Sequence, residues 1–307
     1  MVEDDGIIFL ISQPRAGSTL LQRMLGSHSQ IHTTAEPWVM LYPLFALRDD
    51  GHWACYNARL AKAATNLFLE GLDGGKAVYT HALREFGLRL YGRALSRTEK
   101  KFFLDKTPRY YLIVRNLLEV FPRAHFIILF RNPIAVLASS YSYFVRNHGK
   151  RLSDHRIDLL DAPKMLLEGL RVLGDKSIVV NYERLVSSPG ETLVGLCCKL
   201  GIEFEPSMVE YGKANLPHWP LGDQGKVYLE GKPVVSSLDA WEKDVQDPGF
   251  WKLAWDYLRF LGPEIVSAMG YSFEGIELFL KENRPSWLRL IFSPSLASSL
   301  RGSGPSE

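Results

Sequence analysis

Cysteine is almost missing from this chain: Cys55, Cys197 and Cys198 are the only three in 307 residues. The number is odd and two are adjacent in an apolar stretch, so a disulfide framework has no basis, and no Cys or His spacing matches a zinc site. We expect buried thiols in a reducing compartment and no metal. Long hydrophobic runs are absent too, and Met1-Val2-Glu3-Asp4-Asp5 has neither the basic start nor the apolar core of a signal peptide. The expectation is a cytoplasmic protein without a membrane partner. Charge of one sign is also lacking: 36 basic against 34 acidic residues leave a net charge of +2. That balance argues against a nucleic-acid surface, which needs a clustered basic stripe. No internal repeat is present.

What the chain does have is apolar content for one large core, 46% of its residues. We expect a single α/β domain over residues 1–292, with a central, mostly parallel sheet flanked by helices in three P-loop-like layers. Residues 38–101 read as a helical insertion, with helical spacing around Leu60–Leu69 and Ala82–Leu95 broken between Gly71 and Gly75. Residues 293–307, rich in Ser, Gly and Pro, read as a flexible tail.

The most informative stretch runs from Ile7 to Leu21. Ile7–Ile11 suits a buried parallel strand, and Leu20, Leu21, Met24 and Leu25 recur at helical spacing. Between them lies Pro14-Arg15-Ala16-Gly17-Ser18-Thr19. Hydroxyls and free backbone N–H groups at a helix start bind an anion, and Arg15 adds a fixed positive charge. The loop lacks the Gly-Lys-Ser/Thr of a Walker A motif and the spaced glycines of a dinucleotide fingerprint. It is an anion site without a magnesium-nucleotide signature.

Two further strand ends carry charge. Phe126–Phe130 ends at Arg131, with Asn132 as helix cap, Pro133 at the first helical position and Ser139 about two turns on. Phe102–Leu104 leads into Asp105-Lys106-Thr107-Pro108, where Pro108 opens a helix carrying Tyr111, Leu112, Val114, Leu117 and Leu118. Open α/β sheets place ligand groups at such ends. Ser177–Glu183 reads as another strand, and Pro189–Leu200 as a helix stopped by Gly201.

Together these residues resemble the sulfotransferase family, in particular its bacterial and tyrosylprotein branches. Pro-Arg-Ala-Gly-Ser-Thr resembles the family's 5′-phosphosulfate loop, and Arg131 with Ser139 resembles the pair that holds the 3′-phosphate. The resemblance implies 3′-phosphoadenosine 5′-phosphosulfate (PAPS) as sulfuryl donor, its bisphosphate (PAP) as product, and no metal. Arg15, Ala16, Gly17, Ser18, Thr19, Arg131, Ser139 and Tyr182 would then bind the donor, Tyr182 on its adenosine portion. Glu36 lies where the tyrosylprotein branch has its proposed general base, and Asp-Lys-Thr-Pro resembles the segment whose Lys approaches the transferring group. The implied catalytic residues are Glu36, Arg15 and Lys106.

Glu36, Lys106 and Arg131 each have a plainer reading. Glu36 suits a loop carboxylate capping the next helix, Lys106 a solvated partner of Asp105, and Arg131 a complement to local carboxylates. The family also has a mobile loop over the nucleotide near residues 216–241, where Lys226 or Lys232 would reach phosphates, although a solvated lysine is the better reading of either. Of the histidines, His28, His32, His52 and His81 lie near the proposed site in sequence; none matches the family's histidine motif and each reads better as a surface or hydrogen-bonded histidine than as a base, with His81 between the two helical segments as the reserve. The implied acceptor is a hydroxyl of a small molecule or of tyrosine, and the small molecule is favoured. Trp38, Tyr42, Phe45, Trp53 and Tyr56 would suit its pocket or simply the core. A P-loop kinase and a non-catalytic nucleotide-binding protein are the alternative readings.

Overall fold

The computed structural model describes residues 2–46, 57–214, 216, 227, 229–286 and 295–300. Its centre is a five-stranded, all-parallel sheet of β1 (Ile7–Ser12), β2 (Ile31–Thr33), β3 (Phe102–Lys106), β4 (His125–Phe130) and β5 (Ser177–Asn181), in the order β2-β3-β1-β4-β5. The polypeptide leaves β1 for the edge, returns through β3 beside β1, and crosses to β4 on the other side. β1 is therefore central, and every residue of it is buried. A parallel strand covered on both faces needs apolar side chains on both, which is why Ile7–Ile11 is an unbroken apolar run.

Alternation along β1 divides the core. Ile7, Phe9 and Ile11 face one layer, with Tyr91, Phe103, Tyr110, Phe121 and Phe126; Ile8 and Leu10 face the other, with Leu20, Leu21, Met24 and Leu193. The second layer is made by α1 (Ser18–Gly26), α9 (Tyr182–Ser187) and α10 (Pro189–Leu200). On the first lie α4 (Lys76–Leu95), α5 (Val114–Val120) and α8 (Ala162–Leu173), preceded in the chain by the short α2 (Leu41–Phe45), α3 (Ala58–Glu70) and α7 (Arg156–Leu160). A third apolar cluster joins α6 (Pro133–Ser140) to α11 (Pro248–Ala268) and α12 (Phe273–Glu282).

Local signals account for many boundaries. Asn132 caps α6 by accepting from the Ile134 amide at 2.9 Å, with Pro133 in the first turn. Gly201 ends α10 with φ of 68°. Other boundaries differ from expectation. The helix expected from Pro108 is a 3₁₀ turn over Pro108–Leu112, broken at Ile113 before α5 starts. β5 stops at Asn181, whose side chain accepts from the Arg184 amide, so Tyr182 and Glu183 open a helix instead of prolonging the strand. β2 carries no alternation long enough to be legible. The loose tail expected from residue 293 includes a short helix, Leu296–Ser299, with Leu296 and Leu300 buried in the third cluster. Among the described residues no helix is long and apolar enough to cross a membrane.

Candidate active site

The site lies at the carboxyl ends of β1, β3 and β4, and the turn after β1 sets its shape. Arg15 has φ of 70° and Gly17 φ of 97°, and α1 begins at Ser18 with no side chain capping it. First-turn amides of an uncapped helix have no intrahelical acceptor, so this end is electropositive. Gly17 is required twice over. Its left-handed backbone favours glycine, and a Cβ there would stand 2.4 Å from the ring of Tyr182. Tyr182, from the start of α9, is thus packed on the turn itself.

Lys106 ends β3 and is almost wholly buried. Its Nζ donates to Glu36 Oε1 at 2.6 Å and approaches Thr19 Oγ1 at 3.4 Å. The neighbouring Asp105 points to the opposite face of the strand, where Tyr91, Thr107 and Tyr110 donate to it, so Lys106 is neither solvated nor paired with Asp105. Gln22 of α1 steadies the approach to Glu36 by donating to Thr33 Oγ1 at 2.8 Å and the Thr34 carbonyl at 2.6 Å. The Trp38 indole N–H donates to Glu36 Oε2 at 3.2 Å. Glu36, Thr19 and Lys106 thereby meet although they come from a loop, a helix start and a strand end.

A cleft of about 260 Å³ opens above this group, lined by Arg15, Ser18, Thr19 and Glu36 together with Trp38, Arg109, Tyr143, Phe144 and His155. Arg109 forms a two-pronged ion pair with Asp158, at 2.8 and 2.6 Å, and its guanidinium lies 5.4 Å from the Trp38 ring centre. Burial by itself would raise the Asp158 carboxyl, but hydrogen bonds from Arg109 and Tyr111 and the proximity of His155 outweigh it and hold it below its ordinary value. Phe144 stacks on His155 at 3.5 Å between ring centres.

A second cleft of about 400 Å³ adjoins the first on the far side of Arg15, which lines both. Arg131, Ser139, Tyr182 and Tyr211 line it, and Pro233, Val234, Ser236 and Ser237 close one side. Arg131 donates to the Arg15 carbonyl at 3.2 Å and lies over the Tyr182 ring at 4.3 Å. Its Nε is buried with no hydrogen-bond partner among the described residues. A buried guanidinium N–H left without an acceptor is the feature a bound phosphate oxygen would satisfy. Arg15 donates to Ser139 at 3.3 Å and stacks on Tyr143 at 4.2 Å, which links the two clefts. Ala16 is buried beneath the turn. The loop around 231–237 is seated by a backbone contact: the Gly212 amide donates to the Gly231 carbonyl at 2.9 Å, and a Cβ on Gly212 would stand 2.3 Å from the Gly231 Cα.

The described histidines among the four candidates hold structural or surface positions, the plainer reading of each. His28 is buried on a structural bond to the Glu203 carbonyl at 2.8 Å, and His32 packs against Phe103. His81 does not lie between the insertion helices but within α4, exposed beside Lys76 and Arg84, and none of its neighbours belongs to the anion loop. Tyr42 is 85% exposed and Phe45 packs on the core, so of the proposed aromatic pocket only Trp38 lines the cleft among the described residues. His52, Trp53, Cys55, Tyr56 and Lys226 lie outside the described residues, and Lys232 is exposed. The sequence reading missed Arg109, Tyr143, Phe144 and His155. Arg109 directly follows the charged strand end and was findable there. Tyr143 and Phe144 sit on a π-helical stretch, Tyr141–Arg146, and such turns often mark functional sites, but nothing in the residue pattern announces one.

A parallel α/β sheet whose first strand runs into an uncapped glycine turn, with two clefts bridged by an arginine, defines the class as a P-loop-like α/β fold. The chain belongs to the sulfotransferase family, whose model matches residues 7–206. It is 30% identical over 263 residues to the nodulation protein NoeE of Sinorhizobium fredii, covering 78% of this chain and 60% of that protein. It is 28% identical to the protein-tyrosine sulfotransferase of Drosophila melanogaster, covering 86% of this chain and 51% of that one. It therefore spans about half to three-fifths of these relatives' length. The sulfotransferase domain of the Synechococcus PCC 7002 olefin synthase shares the fold, with a TM-score of 0.51, 20% identity, and coverage of 78% of this chain and 88% of that one.

Proposed function

We propose that the protein transfers the sulfuryl group of PAPS to a hydroxyl acceptor, favouring a small molecule over a tyrosine side chain. The observation that carries the reading is the junction of Glu36 with Lys106 at 2.6 Å, on the boundary between the loop's electropositive turn and an aromatic cleft. Membership of the sulfotransferase family supports the donor, and the partnerless Arg131 Nε supports a second phosphate site beside the first. When bound, PAPS supplies a sulfuryl group on an activated phosphate–sulfate bond.

The residues divide the work by position. Arg15, Gly17, Ser18 and Thr19 would hold the phosphosulfate, and Arg131 with Ser139 the 3′-phosphate, while Tyr182 keeps the turn and Arg131 in register. Glu36 takes the proton of the acceptor hydroxyl, a contribution of about 10²–10⁴-fold in comparable chemistry. Lys106 and Arg15 balance charge that develops on the departing oxygen, and loss of one well-aimed group of this kind typically slows a reaction by about 10²–10³-fold. Trp38, Tyr143 and Phe144 exclude water on the acceptor side and suit an apolar or aromatic acceptor body.

The test pairs binding with turnover. Thermal shift with PAP should stabilise the fold by about 2.7 kcal/mol near a hundred times its dissociation constant. ATP with magnesium should do less. Radiolabelled PAPS is then offered with phenols, hydroxy-acyl compounds and tyrosine peptides. A shift with ATP alone would overturn the donor, and PAP binding without transfer to any acceptor would favour a non-catalytic nucleotide-binding role.

A further inference from the structure

Asp105 is a carboxyl with no exposed surface, on the apolar face of β3, and among the described residues no cation bonds it. Burying such a group is unfavourable unless its oxygens are fully hydrogen-bonded. Three hydroxyls satisfy it: Tyr91 at 2.6 Å, Thr107 at 2.7 Å and Tyr110 at 2.9 Å. Two of the three do something more. The Tyr110 oxygen accepts from the Met40 amide at 3.0 Å, and Thr107 Oγ1 accepts from the Trp38 amide at 3.4 Å. Those amides belong to the segment that carries Glu36 into the cleft. Trp38 itself has φ of 54°, a left-handed conformation that a bulky residue holds only when its surroundings impose it.

We propose that Asp105 is a positioning residue that fixes the Glu36–Trp38 segment over the cleft through Tyr110 and Thr107. An ionised carboxylate accepts hydrogen bonds and donates none, so both hydroxyls must point their protons at it. Their lone pairs are then committed to the Met40 and Trp38 amides. The chain continues through the Trp38 indole N–H to the Glu36 carboxylate. An Asn at 105 would present an NH₂ to one of these hydroxyls, reverse that bond, and turn an O–H toward a backbone N–H. Tyr91 ends on Asp105 and touches no loop amide, so it stabilises the buried carboxyl without steering the segment.

This rests on the sulfotransferase reading for its kinetic arm but not for its structural arm. The variants are Tyr110→Phe and Thr107→Val, with Tyr91→Phe as comparator. Protein labelled with nitrogen-15 at tryptophan indoles is recorded by NMR, the Trp38 signal being assigned by its loss in Trp38→Phe. Tyr110→Phe and Thr107→Val should move the Trp38 signal and lower kcat on the order of 10–100-fold with the KM for PAPS and the affinity for PAP unchanged, as a displaced reacting group does. Tyr91→Phe should lower Tm while leaving the Trp38 signal and kcat at wild-type values. An unmoved Trp38 signal in both linking variants would overturn the proposal, as would a kcat loss in Tyr91→Phe equal to theirs. If the wild type transferred no sulfuryl group to any acceptor, the enzymatic reading would fail while the indole signal still decided the positioning.

Discussion

Lys106 Nζ and Glu36 Oε1 stand 2.6 Å apart, although seventy residues separate them in the chain. The lysine is 1% exposed and the glutamate 14%. Two charges withdrawn from water this far are held by each other and by the Thr19 hydroxyl and Trp38 indole around them. Such a pair adds little net stability compared with well-packed apolar residues of similar volume.

Glu36→Gln should separate binding from turnover. The expected result is a kcat lower by about 10²–10⁴-fold with PAP affinity nearly intact, measured by single-turnover transfer and calorimetry. Turnover at the wild-type rate would remove Glu36 as the base. Lys106→Met leaves the carboxylate without its partner and should also lower stability, by up to about 3–5 kcal/mol in urea unfolding.

Gly17→Ala places a methyl group against the Tyr182 ring and forces a left-handed backbone on alanine. Overpacking of this kind typically costs about 1–3 kcal/mol. The variant should lose PAP binding and melt earlier. Adding Tyr182→Ala should recover part of the melting temperature by making room, and calorimetry should show that the lost PAP affinity does not return with it.

Arg131→Ala and Ser139→Ala act on the second cleft, remote from Glu36. Both should weaken PAP, and Arg131→Ala should do so by more, since a buried guanidinium bond to an anion is charge-assisted and worth about 1.5–3 kcal/mol. Adenosine 5′-phosphate, which lacks the 3′-phosphate, should bind the two variants and the wild type about equally. A parallel loss for both nucleotides would place Arg131 elsewhere.

Among the groups that make stability depend on pH, Asp105 and Asp158 act in opposite directions. Burial raises the Asp105 carboxyl to about 6, the hydroxyl donors only partly offsetting it. Its folded value exceeds the unfolded value of 3.8, so its contribution is fully present below that value and is lost as pH rises through about 6. Asp158 is held below its ordinary value, so its contribution is present above about pH 4 and is lost as pH falls through the folded value. Urea unfolding at pH 7 and pH 5 should show a smaller gain on acidification for Asp105→Asn than for the wild type. Equal gains would mean that Asp105 does not titrate in this window.

The turn between β1 and α1 was legible because its signals are local: an apolar run, a glycine, and hydroxyls at a helix start. Arg131 with Asn132 and Pro133 was legible for the same reason, since a strand end, a cap and a first-turn proline are adjacent in the chain. The helix break at Ile113 was not, because the apolar spacing from Tyr111 to Leu118 runs straight across it. His81 was placed by sequence proximity, yet α4 carries it to an exposed face of the sheet's helical layer. His155 and Phe144 entered the cleft from a segment with no recognisable motif.

By itself, the sequence determined a buried central strand, the glycine turn and helix start that follow it, and the charged residues at two further strand ends. These depend on periodicity and on turn and cap chemistry within a few residues. Only the tertiary structure decided that Glu36 meets Lys106, that Tyr182 packs on Gly17, and that Asp105 turns away from both to hold the Glu36–Trp38 segment from behind. The parallel order β2-β3-β1-β4-β5 is the physical reason. It sets strand ends side by side that are distant in the chain, and alternation along β3 sends neighbouring residues to opposite faces.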